Sequence, residues 1–85
     1  MCTMINETAV ISGGGKGAQG WFTVNQVNVG YDHPTFVNLE HAITLDFVDP
    51  TSGPAARVAV ELTPDSARAL IATLEAALER GKDVD

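Results

Sequence analysis

The chain has 85 residues, 45% of them hydrophobic and 19% charged, the size and make-up of one folded domain, residues 1–85, and not of two domains or a disordered segment. Eleven acidic residues against five basic ones give a net charge of -6, and Lys16 is the only cation before Arg57, so no basic stripe exists to neutralise phosphates and nucleic acid is set aside as a partner. No stretch approaches the roughly 18 apolar residues of a membrane helix, the opening Met1 to Glu7 lacks the basic and apolar regions of a signal peptide, and the lone Cys2 allows neither an internal disulfide nor a Cys-x-x-Cys site, so a cytoplasmic protein with no membrane partner is expected.

Taken in chain order, Thr3 to Ile11 mixes β-branched and polar residues and reads as a first strand. Ser12 to Gly20 is glycine-rich and reads as a mobile hairpin loop, and Trp21 to Tyr31, rich in β-formers, returns as the second strand. The loop does not read as a phosphate cradle: Gly15-Lys16-Gly17 leads to Trp21, Phe22 and a strand, where a Walker loop needs Gly-Lys-Ser/Thr and a helix. Asp32, His33 and Pro34 mark a turn, with the proline biasing His33 toward an extended backbone. His41 to Val48 alternates strictly and is the clearest strand; Asp49 to Pro54 is a second turn; Arg57 to Leu62 alternates again.

The last element is a helix. Thr63 is its N-cap, Pro64 takes the first helical position, and Asp65 puts negative charge in the first turn. Ala67, Leu70, Ile71, Leu74, Ala77 and Leu78 follow at the spacing of one helical face, with Arg68, Glu75 and Glu79 opposite, and Gly81 is the stop signal.

Register predicts the core. With the 49–54 turn joining neighbours, Phe47, Leu45, Ile43 and His41 fall opposite Ala56, Val58, Val60 and Leu62, and Tyr31, Val29 and Val27 extend the same apolar face. The reverse face carries Gln26, Asn28, Gly30, Ala42, Thr44, Asp46, Ala59 and Glu61, with Asp46 and Arg57 as an exposed ion pair. In the first strand Cys2, Met4 and Val10 compete with Ile5, Ala9 and Ile11 for the inner side. The expected fold class is α+β, a four-stranded antiparallel meander with one C-terminal helix packed on one face (ββββα). Its most buried residues should be Ile43, Leu45, Val58, Val60, Leu70, Ile71, Leu74 and Leu78.

This meander gathers Cys2, Tyr31, Asp32, His33, Glu40, His41 and the helix start at Thr63 at one end of the sheet. A thiol, two imidazoles and carboxylates are ligand types of zinc or another transition metal, which makes Cys2, His33, His41 and Glu40 the candidate metal ligands. Each has a plainer reading: His41 as a buried neutral imidazole bonded to backbone near Leu62, His33 as a solvated turn residue, Glu40 as a hydrophilic strand end, and Cys2 as a small buried hydrophobe. Of the adjacent Trp21 and Phe22, one should be exposed if the pair serves a partner surface; a packed core edge is the alternative.

Met1-Cys2-Thr3, the run Gly15-Lys16-Gly17-Ala18-Gln19-Gly20-Trp21-Phe22, Asp32-His33-Pro34, Glu40-His41-Ala42, Asp46-Phe47 and the stretch Gly53 to Leu62 together resemble a family of short actinobacterial proteins catalogued as a domain of unknown function. The resemblance covers nearly the full length. It implies an actinobacterial source and transfers no catalytic residue.

Two functions fit the residues. One is a non-enzymatic accessory or interaction protein acting through a homodimer or partner interface; the other is a metal-binding or catalytic protein using Cys2, His33 and His41. A small domain buries too little surface alone, and the fourth strand, guarded only by Arg57 and Glu61, offers its edge to a second copy. The first strand, with whichever of Trp21 and Phe22 is exposed, is the alternative dimer edge.

Overall fold

A computed structural model describes residues 5–84 of the chain. Cys2 and Met4 at the start, and Asp85 at the end, lie outside the described residues. Four strands, β1 (Ile5–Gly17), β2 (Gly20–Asp32), β3 (Ala42–Val48) and β4 (Arg57–Leu62), form one antiparallel sheet in the order β1-β2-β3-β4, followed by helix α1 (Pro64–Gly81). The ββββα layout is the expected one.

The glycine-rich segment is not a loop. It is the second half of β1, pairing Gly13 with Val24, Gly15 with Phe22 and Gly17 with Gly20, after an irregularity between Val10 and Gly13. The reversal itself is only Ala18 and Gln19. Among the described residues no non-glycine residue has a positive φ, so a primed two-residue turn is not used, and Gly20 at φ +111 supplies the left-handed position instead. The glycines serve close approach: a methyl built on Gly15 would lie 2.9 Å from Val24 Cγ2, and one on Gly17 3.2 Å from the Ala55 carbonyl oxygen. The hairpin end therefore curls across to the start of β4, which a strand with side chains could not do.

Both remaining registers sit two residues from expectation. Ile43 faces Leu62, Leu45 faces Val60 and Phe47 faces Val58, while Val27, Val29 and Tyr31 face Phe47, Leu45 and Ile43. The shift is even, so the apolar face survives it. Its cause is the width of the loops. Asp49 accepts bonds from Thr51 N–H (3.0 Å), Thr51 Oγ1 (2.7 Å), Ser52 Oγ (2.6 Å) and Asn25 Nδ2 (3.2 Å), and Asp49 N–H donates to the Ala56 carbonyl. The turn so built uses Ala55 and Ala56 as well as 49–54, and β4 starts at Arg57. Gly53 at φ +88 makes its return bend.

In β1, Ile5 and Ala9 face Tyr31 and Val27 and so belong to the apolar side, whereas Val10 is exposed and Ile11 half-buried. The reverse face is polar as expected, with Thr8 and Gln26 both bonded to Asn28 Oδ1 at 2.9 Å. Arg57 Nε reaches Asp46 Oδ1 at 2.6 Å, diagonally across the ladder, since Asp46 is paired with Ala59. Ala42, assigned to that face, is fully buried.

α1 starts as its sequence dictates: the Ser66 N–H donates to Thr63 Oγ1 at 3.1 Å, and Pro64 and Asp65 hold the first turn. Gly81 is its last residue, and the C-cap is Lys82 in the right-handed region. The helix does not, however, lie over the sheet. Only Pro64 and Ala67 are half-buried, Leu74 is 54% exposed and Leu78 74% exposed. The expected helix-on-sheet core is therefore absent from a single chain. Among the described residues only Val24, Ala42 and Ala56 are buried apolar residues, and Ile43, Leu45 and Val58 are half-buried. The reason is the connection. Thr63 alone joins β4 to α1, where strands and helices that pack on one another are usually joined by about 2–6 residues.

Elongation follows. The radius of gyration is 14.4 Å and the extents are 48 × 31 × 20 Å, against about 12 Å for a compact chain of this length. The chain exposes 6493 Å², against about 4,800 Å² for a compact monomer of its mass.

The Asp46–Arg57 pair is solvent-exposed on its arginine side. The double variant Asp46→Asn/Arg57→Gln is expected to lose at most about 1 kcal/mol in chemical denaturation.

Candidate functional site

The end of the sheet that carries Leu62 and Tyr31 collects the residues singled out above. Tyr31 closes β2, the 33–41 loop follows, and α1 begins beside it. His41 lies in that loop, one residue before β3, and is unpaired in the ladder. Its imidazole stacks with two rings, Tyr31, with centroids 5.5 Å apart and planes 2° from parallel, and His33, at 5.0 Å and 21°. The histidines, eight positions apart in sequence, thus meet in a three-ring column. His33 N–H donates to Asp32 Oδ1 at 2.7 Å, which fixes the backbone where the chain leaves β2.

An open cleft of about 540 Å³ lies beside the column, lined by Tyr31, Leu39, Glu40, His41, Thr63, Pro64 and Asp65. Glu40 is therefore beside His41, as expected. Parallel imidazole planes do not direct their nitrogen lone pairs at a common point, so one ring must rotate before both can bind one ion. Among the described residues no group of three His, Cys, Asp or Glu side chains is arranged to hold a metal, and Cys2 lies outside them.

The residue that the sequence reading passed over is Glu61. Placed on the polar face by alternation, its carboxylate accepts three successive backbone N–H groups, from Thr35 (2.6 Å), Phe36 (2.7 Å) and Val37 (3.1 Å). These bonds, the first two strongest, hold the Glu61 carboxyl below the ordinary glutamate range. The 33–41 loop is thereby drawn onto the polar face, where His33 and Thr35 line a hollow with Glu61. The same clamp leaves Phe36 at the loop tip 91% exposed. The available signal was a loop with no turn motif after Pro34, whose free N–H groups required an acceptor.

At the far end of the sheet, Trp21 is 74% exposed and Phe22 half-buried, so Trp21 is the outward member of the pair. With Ile11, Gly13 to Lys16, Val24, Phe47 and Val58 it lines an apolar groove of about 380 Å³. Groove and ring column occupy opposite ends of the sheet.

Residues 1–84 match the model of a family of unknown function, DUF6295. The chain belongs to that family. No curated protein and no solved structure matches it. Membership brings no catalytic residue with it, so roles rest on the geometry. No helix among the described residues is long and apolar enough to cross a membrane.

Two carboxylates therefore organise the loops, and their acid response has a defined sign. Hydrogen bonds from Ser52 and Thr51 lower the Asp49 pKa from 3.8 to about 2, and Glu61 is lowered by its N–H partners. A group depressed on folding stabilises above its unfolded pKa and loses that stabilisation as pH falls through its folded value. The thermal midpoint should therefore drop between pH 4 and about 2, and less steeply in Asp49→Asn and Glu61→Gln, both already destabilised at pH 7. Amide exchange at 35–37 should rise in Glu61→Gln alone.

Proposed function

We propose that this protein is a non-enzymatic accessory or interaction protein that works as a homodimer. The observation carrying the reading is that a single chain leaves apolar surface uncovered: the α1 stripe of Leu70, Ile71, Leu74 and Leu78 is exposed along its length, and the sheet face of Val27, Val29, Leu45, Phe47 and Val58 is only half-buried. Isolated exposed apolar residues need no explanation, but contiguous stripes of this size mark interaction surfaces. The excess surface, about 1,700 Å² over a compact monomer, is of the order a permanent interface removes per chain. Multi-angle light scattering at micromolar concentration should return twice the 8.9 kDa chain mass; a monomer would overturn the proposal.

A second reading, a transition-metal site, is favoured by one observation, the meeting of His33 and His41 at 5.0 Å. Rotation of either ring would let the two imidazoles ligate one zinc ion, with Cys2 and Glu40 the further ligands that the sequence offers. Zinc titration of untagged protein by calorimetry should then show binding that both His33→Ala and His41→Ala abolish. Equal heats in all three proteins would dismiss it.

A further inference from the structure

The unpartnered surfaces are complementary in kind. α1 presents a stripe of large aliphatic side chains some 27 Å long at 1.5 Å per residue, and the sheet presents a face of Val27, Val29, Leu45, Phe47, Val58 and Val60 in register. Within one chain they do not meet beyond the start of the helix, and Thr63 is the whole connection: Leu62 is still paired with Ile43 and Pro64 is already helical. A short hinge between a strand and an element it cannot cover is the situation that favours exchange between copies. We infer that α1 of each chain lies on the apolar sheet face of a second copy, its end reaching the groove at Phe47 and Val58, so that two chains complete each other's cores reciprocally. The inference rests on the homodimer reading and specifies its geometry.

Three features favour this occupant and this mode. Each chain carries one exposed helix stripe and one half-buried sheet face, so a two-fold exchange covers both. The area fits: covering about 1,700 Å² on each chain gives a total within the range of obligate homodimers, about 2,000–5,000 Å². Pairing through the β4 edge, the other dimer, leaves both apolar surfaces open, and the curled end of β1 already stands against the start of that edge, with Gly17 against the Ala55 and Arg57 carbonyl oxygens. The groove sets apolar walls, Ile11, Trp21, Val24, Phe47 and Val58, beside the glycine segment, a surface that suits an aliphatic helix face.

In a Cys2→Ser background, protein carrying Val60→Cys is mixed with protein carrying Leu70→Cys, Leu74→Cys or Leu78→Cys, refolded together and oxidised, while light scattering reports the oligomeric state of each. A mixed disulfide from at least one helix position, in excess over either homodisulfide, is expected. A dimer that yields no mixed disulfide from any of the three overturns the exchange and leaves the homodimer reading standing; a Val60→Cys homodisulfide would then indicate edge pairing, and a helix homodisulfide would indicate α1 against α1. A monomer throughout overturns both. As an independent measurement, inserting Gly-Ser-Gly-Ser between Leu62 and Thr63 gives α1 the slack to fold onto its own sheet and should raise the dimer dissociation constant at least tenfold. An unchanged dimer with the insertion contradicts the exchange, since no other mode depends on that hinge.

Discussion

The connection between β4 and α1 is one residue long, and each of its atoms already has a task. Thr63 ends the ladder that pairs Leu62 with Ile43, and its hydroxyl caps the helix through the Ser66 N–H. Pro64 then fixes φ for the helix at once. With no residue left to reverse direction, the helix must leave the sheet on the course set by the strand. Its early residues Pro64 and Ala67 are half-buried, and the rest of its apolar stripe stands clear. The absence of a large fully buried side chain among the described residues, the elongated shape and the excess surface all follow from that brevity.

Acidic residues have a second role here besides giving the chain its net charge of -6. The two longest connections of the sheet contain few backbone bonds of their own, and each is organised by one carboxylate. Asp49 builds its turn from within, collecting hydroxyls and an N–H two and three residues ahead. Glu61 works from outside, reaching from β4 to gather three N–H groups of the 33–41 loop. A carboxylate is well suited to both tasks, because it is an acceptor with several lone-pair sites, and charged acceptors make the stronger bonds. The ring column depends on the second arrangement: His33 and His41 flank the segment that Glu61 pins.

Much of this was legible in the sequence. Local chemistry set the bounds of β4 and the start of α1, because alternation, N-cap and proline act within a few residues. The gathering of Tyr31, His33, Glu40, His41 and Thr63 at one end was also legible, since the meander order determines which strand ends coincide. Three features were not. Ser12 to Gly20 reads as a loop because glycine is rare in strands, but here the missing side chains permit the curl toward β4. The two-residue offset of β4 against β3 goes with the turn that Asp49 widens through its side-chain bonds, and that of β3 against β2 with the 33–41 loop, and composition bounds both connections only loosely. The position of α1 depended on counting the residues between two secure elements, and periodicity carries no information about that spacing: the stripe through Leu70, Leu74 and Leu78 shows that the helix has an apolar face, not what lies against it.

The order β1-β2-β3-β4 means that every strand pairs with its neighbour in sequence, and this has a kinetic consequence. Loop-closure entropy rises with the length of chain enclosed, and here the closures are a two-residue reversal and two loops of under ten residues. Each hairpin can therefore form without waiting for a distant segment, the kind of topology that folds quickly. Sheet and helix are each complete in the single chain while Leu70, Ile71, Leu74 and Leu78 stay exposed; on the homodimer reading proposed above, the remaining burial would wait for an encounter between chains, at a rate set by concentration.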